Sequence, residues 1–306
     1  MCYPMPCTAR MPGVATARCA KYVTCLPKCW NHGSPTGEKI MLESLDGRTA
    51  MVTGAGGGIG LAITSTLARC GAHVVMAGRQ LDSLERARTT LHEQGIGHEN
   101  FSLLTMDLSR SDEIDRVLAK GGNRLDTVDI LVNNAGIMLP EGSFLDRDWS
   151  VWQQILQINF TAPARLCHSF ARGMVDRRWG RIINIASIAG LGGAKRGVEY
   201  GTSKAALIGM TRNLAVELAS ASVTVNAVAP GKAETIAMSQ RKETAKYQKR
   251  LQSVPTGRFV TPQEVAYVVA FLASAQASQI TGQVVPVDGG EIAAGPYAAR
   301  LPNADE

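Results

Sequence analysis

Hydrophobic and polar residues follow two alternating patterns along the chain from Thr49 onward. Short runs of β-branched and aliphatic residues, typical of buried strands, alternate with longer stretches whose apolar residues recur at helical spacing. The pattern predicts strands near residues 49–54, 73–78, 101–106, 128–133, 181–186, 223–228 and 283–287. It predicts helices near residues 59–69, 81–94, 111–120, 150–177, 201–219 and 262–274. Because consecutive parallel strands need helical crossovers, this order predicts an α/β fold with a doubly wound parallel sheet in a single domain.

Composition and charge exclude several classes of protein. With 45% hydrophobic and 19% charged residues, the 306-residue chain has the composition of a globular protein rather than a disordered tail. It has no unbroken run of the roughly 18 apolar residues that a membrane helix needs, so we expect no membrane association. Residues 1–40 hold five basic residues against one acidic residue, which leaves the rest of the chain close to neutral despite a net charge of +6. This distribution does not predict nucleic-acid binding.

The N-terminal segment differs from the rest of the chain. Residues 1–37 contain five prolines and four Lys or Arg residues, no acidic residue, and no helical or strand period. We therefore predict a disordered extension over residues 1–40 and one domain over residues 41–306. The extension could be an organellar targeting peptide, a thiol or metal site, or an upstream start outside the fold. Its cysteine spacings never give C-x-x-C, which disfavours a metal site.

Met41 leads directly into the first predicted strand, and we favour it as the working start of the protein. A cytoplasmic protein is then expected. The alternative is a mitochondrial or plastid protein whose first 40 residues are a targeting peptide, although such peptides are usually richer in serine. We expect no metal ion in the domain.

The first strand ends in a cluster of glycines, Thr53-Gly54-Ala55-Gly56-Gly57-Gly58-Ile59-Gly60, and a helix follows. Glycines allow the backbone to approach a pyrophosphate closely, and the helix N-terminus presents free N–H groups with a partial positive charge. Glycine clusters also form ordinary tight turns. The position between strand and helix favours a Rossmann-like dinucleotide site.

The end of the second strand bears on the choice of dinucleotide. Arg79 stands where an acidic residue would bind the adenosine ribose 2′-hydroxyl, and an arginine there can instead pair with a 2′-phosphate. NADP(H) is therefore favoured and NAD(H) remains possible, since Arg79 could also be an ordinary surface residue. Asp107, at the end of the third strand, is placed to reach the adenine edge.

A tyrosine and a lysine lie four residues apart in a predicted helix. Tyr200 and Lys204 therefore share one helix face, which brings a phenol beside an ammonium group. A nearby cation lowers the pKa of a phenol from its usual value of about 10. Tyr200 is thus a candidate general acid and base, with Ser187 as a polar group upstream.

Together these motifs resemble those of the classical short-chain dehydrogenase/reductases over about residues 45–290. The resemblance rests on Thr53 to Gly60, Asn133 to Gly136, Asn159 within Gln157-Ile158-Asn159, Ser187, Tyr200 and Lys204, Pro230-Gly231, and Val287 to Gly290. It implies an NAD(P)-dependent oxidoreductase that transfers hydride between nicotinamide and a carbonyl or secondary alcohol.

The resemblance also implies roles for four catalytic residues. Tyr200 would donate the proton to the carbonyl oxygen, and Ser187 would hydrogen-bond that oxygen. Lys204 would bind the nicotinamide ribose and lower the pKa of the phenol, while Asn159 would hold a water that links Lys204 to solvent. The candidate cofactor-binding residues are Gly54, Gly58, Ile59, Gly60, Arg79, Asp107, Leu108, Asn134, Gly136, Tyr200, Lys204, Pro230, Gly231, Ala233 and Thr235.

Substrate specificity is expected in loops 137–147 and 189–199 and in the segment after Gly231. Residues 254–282 are similar to the 3-oxoacyl-acyl-carrier-protein reductase branch, which makes a 3-oxoacyl thioester the favoured substrate. Residues 232–258 hold seven basic residues against two acidic ones, which fits either attraction of an anionic thioester or a solvated lid. The alternative is a dehydrogenase of sugars, polyols, steroids or small secondary alcohols. The intact Ser187, Tyr200 and Lys204 disfavour a non-enzymatic dinucleotide sensor.

Two macromolecular partners are considered. The similar reductases present paired arginines to the acyl-carrier protein; Arg178 matches one position, but Ala221 stands at the other, so carrier-protein docking is uncertain. Relatives commonly form homotetramers through the long helices that begin near Ala164 and Tyr200 here. The resemblance therefore implies a homotetramer.

Overall fold

A computed structural model describes residues 44–120, 125, 127–139, 142–193, 196–234 and 244–295. Seven parallel strands form one sheet in the order β3-β2-β1-β4-β5-β6-β7. The strands are β1 (Thr49–Thr53), β2 (His73–Gly78), β3 (Phe101–Thr105), β4 (Val128–Asn133), β5 (Gly180–Ile185), β6 (Val223–Pro230) and β7 (Val284–Val287). The chain order reverses between β1 and β4, which leaves a crevice at the carboxyl ends of these two strands.

Helices cover both faces of the sheet. They are α1 (Gly58–Arg69), α2 (Leu81–Glu93), α3 (Ser111–Lys120), α4 (Trp149–Leu156), α5 (Ala162–Asp176), α6 (Val198–Leu218), α7 (Ala245–Leu251), α8 (Pro262–Ala273) and α9 (Glu291–Ala294). None of the helices in the described part of the chain has the length and apolar character needed to cross a bilayer.

Alternate strand residues supply two separate cores, one on each face. Val52 of β1 packs with Ile63 of α1 and Val269 of α8 in the first core. Its neighbour Met51 faces the other way and packs with Leu166 of α5 in the second. Because both faces are covered, the strands are apolar at consecutive positions, which is why they appear in the sequence as unbroken aliphatic runs.

The predicted doubly wound sheet is confirmed, but one predicted helix is wrong in detail. The expected continuous helix over residues 150–177 is two α-helices joined by a wider π-type turn over Gln157–Thr161. Pro163 has no N–H to donate to the carbonyl four residues earlier, that of Asn159, so the regular α-helical ladder cannot continue there. Asn159 itself is buried at this turn.

Smaller differences occur at the ends of elements. Helix α6 begins at Val198, before the predicted start, after Gly197 in a left-handed conformation with φ of 77°. Strand β6 continues to Pro230, and α7 and α9 are not among the predicted helices. The predictions for residues 1–40 lie outside the described residues.

Candidate active site

The glycine loop between β1 and α1 has a backbone that other residues cannot reproduce. Gly54 and Gly58 have positive φ angles of 67° and 53°. A Cβ atom at Gly60 would overlap the carbonyl oxygen of Gly54 and lie 2.7 Å from Nδ2 of Asn134. Gly57 and Gly58 differ from Gly60 in this respect, because a Cβ at either position would meet nothing within 4 Å. The loop is therefore packed against protein at its ends and borders open space at its centre.

This open space fits the pyrophosphate of a dinucleotide. The N-terminus of α1 has Gly57 as its N-cap and no side chain that accepts a hydrogen bond from its first N–H groups. Free N–H groups at a helix N-terminus bind phosphate oxygens, and the helix dipole adds a favourable positive potential.

A cleft of about 460 Å³ extends from the loop along the carboxyl ends of β1, β2, β3 and β4. It brings together most of the predicted cofactor-binding residues, namely Gly54, Ile59, Gly60, Arg79, Asp107, Leu108, Asn134 and Gly136. Gly58 is part of the loop but does not line the cleft. These residues lie in the segments that follow four strands, so the strand order of the sheet accounts for their convergence.

Arg79 stands at the border of a second pocket of about 330 Å³. Gln80 and Ser83 also line this pocket, although neither was predicted from the sequence as a binding residue. A Cβ at Gly56 would lie 2.6 Å from Oγ of Ser83, so the start of α2 packs closely on the glycine loop. Ser83 could have been predicted as a binding residue, because it lies in the first turn of a predicted helix, four residues after Arg79.

Three of the four predicted catalytic residues converge in a third pocket of about 220 Å³, whereas Asn159 does not line it. Ser187, Tyr200 and Lys204 line it together with the predicted cofactor-binding residues Pro230, Gly231 and Ala233. Ile59, Asn134, Gly136 and Ile137 line both this pocket and the 460 Å³ cleft, so the two spaces adjoin. Thr235 lies outside the described residues.

Lys204 is deeply buried in α6. Its Nζ donates a hydrogen bond to the carbonyl oxygen of Ile185 at 2.8 Å. It lies 5.9 Å from the ring centroid of Tyr200, and a Cβ at Gly136 would be 3.2 Å from it. Burial lowers the pKa of Lys204 to about 8, because the charged form loses solvation.

The expected lowering of the Tyr200 pKa is wrong for this structure. Burial raises the pKa of Tyr200 above its ordinary value, and a hydrogen bond with Ser187 acts in the opposite direction with a smaller effect. Desolvation penalises the phenolate more than its neighbours favour it. Tyr200 therefore carries its proton at neutral pH, which is the state a proton donor needs.

Asn159 connects the loop after β4 to the helix that carries Lys204. Its Oδ1 accepts a hydrogen bond from the backbone N–H of Ile137 at 2.8 Å. Its Nδ2 donates to the carbonyl oxygen of Ile137 at 2.9 Å and to Oγ of Ser203 at 3.1 Å. These contacts are to protein groups, so the predicted role of Asn159 in holding a water stays a prediction.

Comparison with known proteins identifies the family. A family model described as enoyl-(acyl carrier protein) reductase matches residues 54–291, most of the chain. The chain belongs to the short-chain dehydrogenase/reductase family. The 3-oxoacyl-(acyl-carrier-protein) reductase FabG of Aquifex aeolicus is 41% identical over 250 residues, which cover 80% of this chain and 98% of the relative. Nodulation protein G of Rhizobium meliloti is 41% identical over 249 residues, with 80% and 97% covered.

Solved structures show the same fold. A protein from Beutenbergia cavernae described as an NAD(P)-dependent gluconate 5-dehydrogenase, with bound NADP at low occupancy, is 37% identical with a TM-score of 0.75; the match covers 82% of this chain and 98% of that one. A structure described as a betaketoacyl-ACP reductase is 36% identical with a TM-score of 0.72, covering 81% and 100%. As a short-chain dehydrogenase/reductase, the chain is an oxidoreductase of carbonyl or alcohol groups that binds a nicotinamide dinucleotide.

The basic segment after β6 is less positive than its sequence suggests. Lys232 pairs with Glu291, and Arg258 pairs with Glu264 at 2.6 Å. Both acidic residues lie outside residues 232–258, so counting charges within the segment misses them. Residues 235–243 lie outside the described residues. The described part is also not fully solvated, because Tyr247 of α7 is buried against Phe259.

Arg178 and Ala221 occupy the positions where similar reductases present arginines to the carrier protein. Both lie near the end of α6. The Nη2 of Arg178 donates a hydrogen bond to the carbonyl oxygen of Ser220 at 3.1 Å. Ala221 is buried. The guanidinium of Arg178 thus contacts its own short-chain dehydrogenase/reductase domain, and the other position supplies no second cation.

Proposed function

We propose that the chain is an NADP(H)-dependent reductase of 3-oxoacyl thioesters in which Tyr200 is the general acid and base. One observation carries the catalytic part of this proposal: Ser187, Tyr200 and Lys204 line a pocket that adjoins the dinucleotide cleft. The reacting carbonyl would lie between the hydroxyl groups of Ser187 and Tyr200. The non-enzymatic alternative has no support in this arrangement, since all three groups are present.

The protein's own groups would perform four tasks. When bound, the nicotinamide supplies the hydride. The hydroxyl of Ser187 donates a hydrogen bond to the carbonyl oxygen and so stabilises the negative charge that develops there. Tyr200 donates its proton from the phenol oxygen to the same atom. The charged Lys204 favours the phenolate that remains, and Asn159 fixes the loop at Ile137 against α6.

NADP(H) is the favoured cofactor because Arg79 is exposed beside a pocket that also presents Ser83 and Gln80. A guanidinium and a hydroxyl are suitable donors for a 2′-phosphate. The similar structures from Beutenbergia cavernae and Agrobacterium tumefaciens were solved with NADP, which supports the same preference.

The substrate class rests on the curated relatives, several of which are named 3-oxoacyl-acyl-carrier-protein reductases. Sugar-acid or polyol oxidation is the second candidate. It is supported by similar structures described as gluconate dehydrogenases. The homotetramer, the cytoplasmic location and the boundary at Met41 remain predictions.

Turnover of competing substrates tests the proposal. We expect the full chain to oxidise NADPH with acetoacetyl-coenzyme A, or with the same acyl group on an acyl-carrier protein, at a kcat/KM at least about 100-fold above that with 5-dehydrogluconate. The decrease in NADPH absorbance measures the rate, with NADH run in parallel. Preferred reduction of 5-dehydrogluconate would replace the thioester proposal with the sugar-acid one.

The pH dependence of reduction should reflect Lys204. We expect kcat/KM for NADPH to be level at neutral pH and to fall as the pH rises through about 8. Below this value the Lys204 ammonium is charged, and above it the charge beside Tyr200 is lost. Tyr200 does not cause this fall, because its raised pKa keeps it protonated through the same range. The rate is measured across pH at a saturating carbonyl substrate.

The Lys204→Arg variant is the control for this pH profile. Its guanidinium stays charged throughout, so the fall near pH 8 should disappear even if the overall rate is lower. A fall that persists at the same pH in this variant would assign it to another group.

A further inference from the structure

A buried ion pair lies directly beside the candidate proton donor. Glu199 immediately precedes Tyr200 in the first turn of α6, and its side chain is only 2% exposed. The Nη2 of Arg147 lies 3.1 Å from its carboxylate, and the Arg147 side chain is 13% exposed. Among the ion pairs of the described residues, no other has both side chains so well covered.

Arg147 belongs to the loop between β4 and α4, which is attached to α6 at two points. At its start, Ile137 bonds to Asn159, which in turn bonds to Ser203, the neighbour of Lys204. At its end, Arg147 bonds to Glu199, the neighbour of Tyr200. The two attachments therefore reach α6 beside the two residues that the proposed reaction uses.

The loop presents apolar side chains between and beside these attachments. Met138 lines the pocket that contains Ser187, Tyr200 and Lys204. Leu145 is 88% exposed, and the half-exposed Phe144 packs its ring edge-on to Trp152 of α4 at 5.8 Å. Together with Ile137, these apolar side chains of the loop are here called the apolar wall, defined as Ile137, Met138, Phe144 and Leu145.

Each of these two covered charges stabilises the other. If either partner is removed, the other loses this charge partner in a poorly solvated site, and we expect the attached segment to move so that water can enter. The segment expected to move is the loop, because α6 is held against the sheet by its packing on β6. Loss of the pair should therefore displace the apolar wall relative to Tyr200.

We propose that Arg147 and Glu199 are a positioning pair that holds the apolar wall against Tyr200, and that this wall contacts the part of the substrate beyond the reacting carbonyl. The proposal rests on the proposed function for the identity of the reaction. Neither residue touches the reacting atoms; both act through the position of the wall. The wall favours a substrate with an apolar portion, such as an acyl chain.

Kinetic measurements distinguish a pair that positions the apolar wall from a pair that only stabilises the fold. In Arg147→Met and Glu199→Gln, kcat/KM for acetoacetyl-coenzyme A should fall about 10- to 100-fold, mainly through KM, while the Kd for NADPH stays within about twofold. Arg147→Lys keeps the charge and should retain more activity than Arg147→Met. NADPH binding is followed by its fluorescence.

Asp129→Asn is the matched control. Asp129 is also buried and pairs with Arg48 and Arg177, but it lies at the start of β4, at the opposite end of the sheet from the pocket. This variant should lower the melting temperature without changing kcat/KM by more than about twofold. If all three variants lose activity in proportion to their loss of stability, the pair is structural and the proposal is wrong.

Hydrogen exchange provides a readout that does not depend on the substrate. Amides of residues 142–150 should exchange faster in Arg147→Met and Glu199→Gln than in the parent chain and in Asp129→Asn. Unchanged exchange with unchanged kcat/KM would overturn the proposal. If the parent chain reduces neither acetoacetyl-coenzyme A nor 5-dehydrogluconate, the proposed function fails, and exchange alone then decides whether the pair holds the wall.

Discussion

Replacing Tyr200 with phenylalanine is expected to lower kcat for carbonyl reduction by about 10²- to 10⁴-fold, the range that general acid catalysis contributes. The ring remains in place, so packing around it and the dinucleotide cleft should be preserved. What is lost is the proton that the raised pKa of Tyr200 keeps available at neutral pH. Steady-state rates of NADPH oxidation measure the loss, and NADPH fluorescence should give a Kd within about twofold of the parent.

Tyr267→Phe is the control for this substitution. Tyr267 lies on α8, 40% exposed, and does not line the pocket of Tyr200. Removal of its hydroxyl should leave kcat unchanged. If Tyr200→Phe keeps more than about a tenth of the parental kcat, another group supplies the proton and the assignment of Tyr200 is wrong.

The sheet could be predicted from the sequence because its strands are buried on both faces. Such strands appear as short aliphatic runs, and the helices between them bury a single stripe. The convergence of Gly54, Asp107 and Asn134 on one cleft follows from the same prediction, since the carboxyl ends of parallel strands meet at one edge of the sheet. Local motifs and strand order were enough for this part of the site.

The direction of the Tyr200 pKa shift could not be predicted in the same way. The spacing of Tyr200 and Lys204 correctly indicates that they are neighbours, but it contains no information on burial. In the structure Lys204 is so deeply buried that its own pKa falls, and the desolvation of Tyr200 outweighs the groups that favour its phenolate. Desolvation depends on segments that are distant in sequence, and only the folded chain brings them together.

Ion pairs between segments that are distant in sequence could not be predicted either. Neither Arg147 nor Glu199 stands out in the sequence, and only in the folded chain does the loop before α4 bring Arg147 within 3.1 Å of Glu199 on α6. The positive charge of residues 232–258 was overestimated for the same reason, because Glu264 and Glu291 neutralise two of its basic residues from outside the segment. The net charge counted along a segment equals the charge of that surface only where no oppositely charged residues from other segments pair with it.

Exchanging Arg79 for glutamate is expected to lower the ratio of kcat/KM for NADPH to kcat/KM for NADH by about 100-fold or more. If Arg79 binds the 2′-phosphate as proposed, the substitution removes a charge-assisted hydrogen bond worth about 1.5–3 kcal/mol and places a negative charge beside that group. The new carboxylate can instead accept hydrogen bonds from the ribose 2′-hydroxyl of NADH, so NADH turnover should rise or stay constant. Rates with each cofactor, varied at a fixed carbonyl substrate, give the ratio.

Arg86→Glu is the control and makes the same change of charge. Arg86 lies on α2, where it is exposed and lines a surface depression rather than the dinucleotide cleft. Its cofactor ratio should stay within about twofold of the parent, since Arg86 lines neither the dinucleotide cleft nor the pocket beside Arg79 and its exposed charge is screened by salt. If Arg79→Glu and Arg86→Glu change the ratio equally, general surface charge is responsible. An unchanged ratio in Arg79→Glu would mean that Arg79 is an ordinary surface residue, and the preference for NADP(H) would lose its structural basis in this chain.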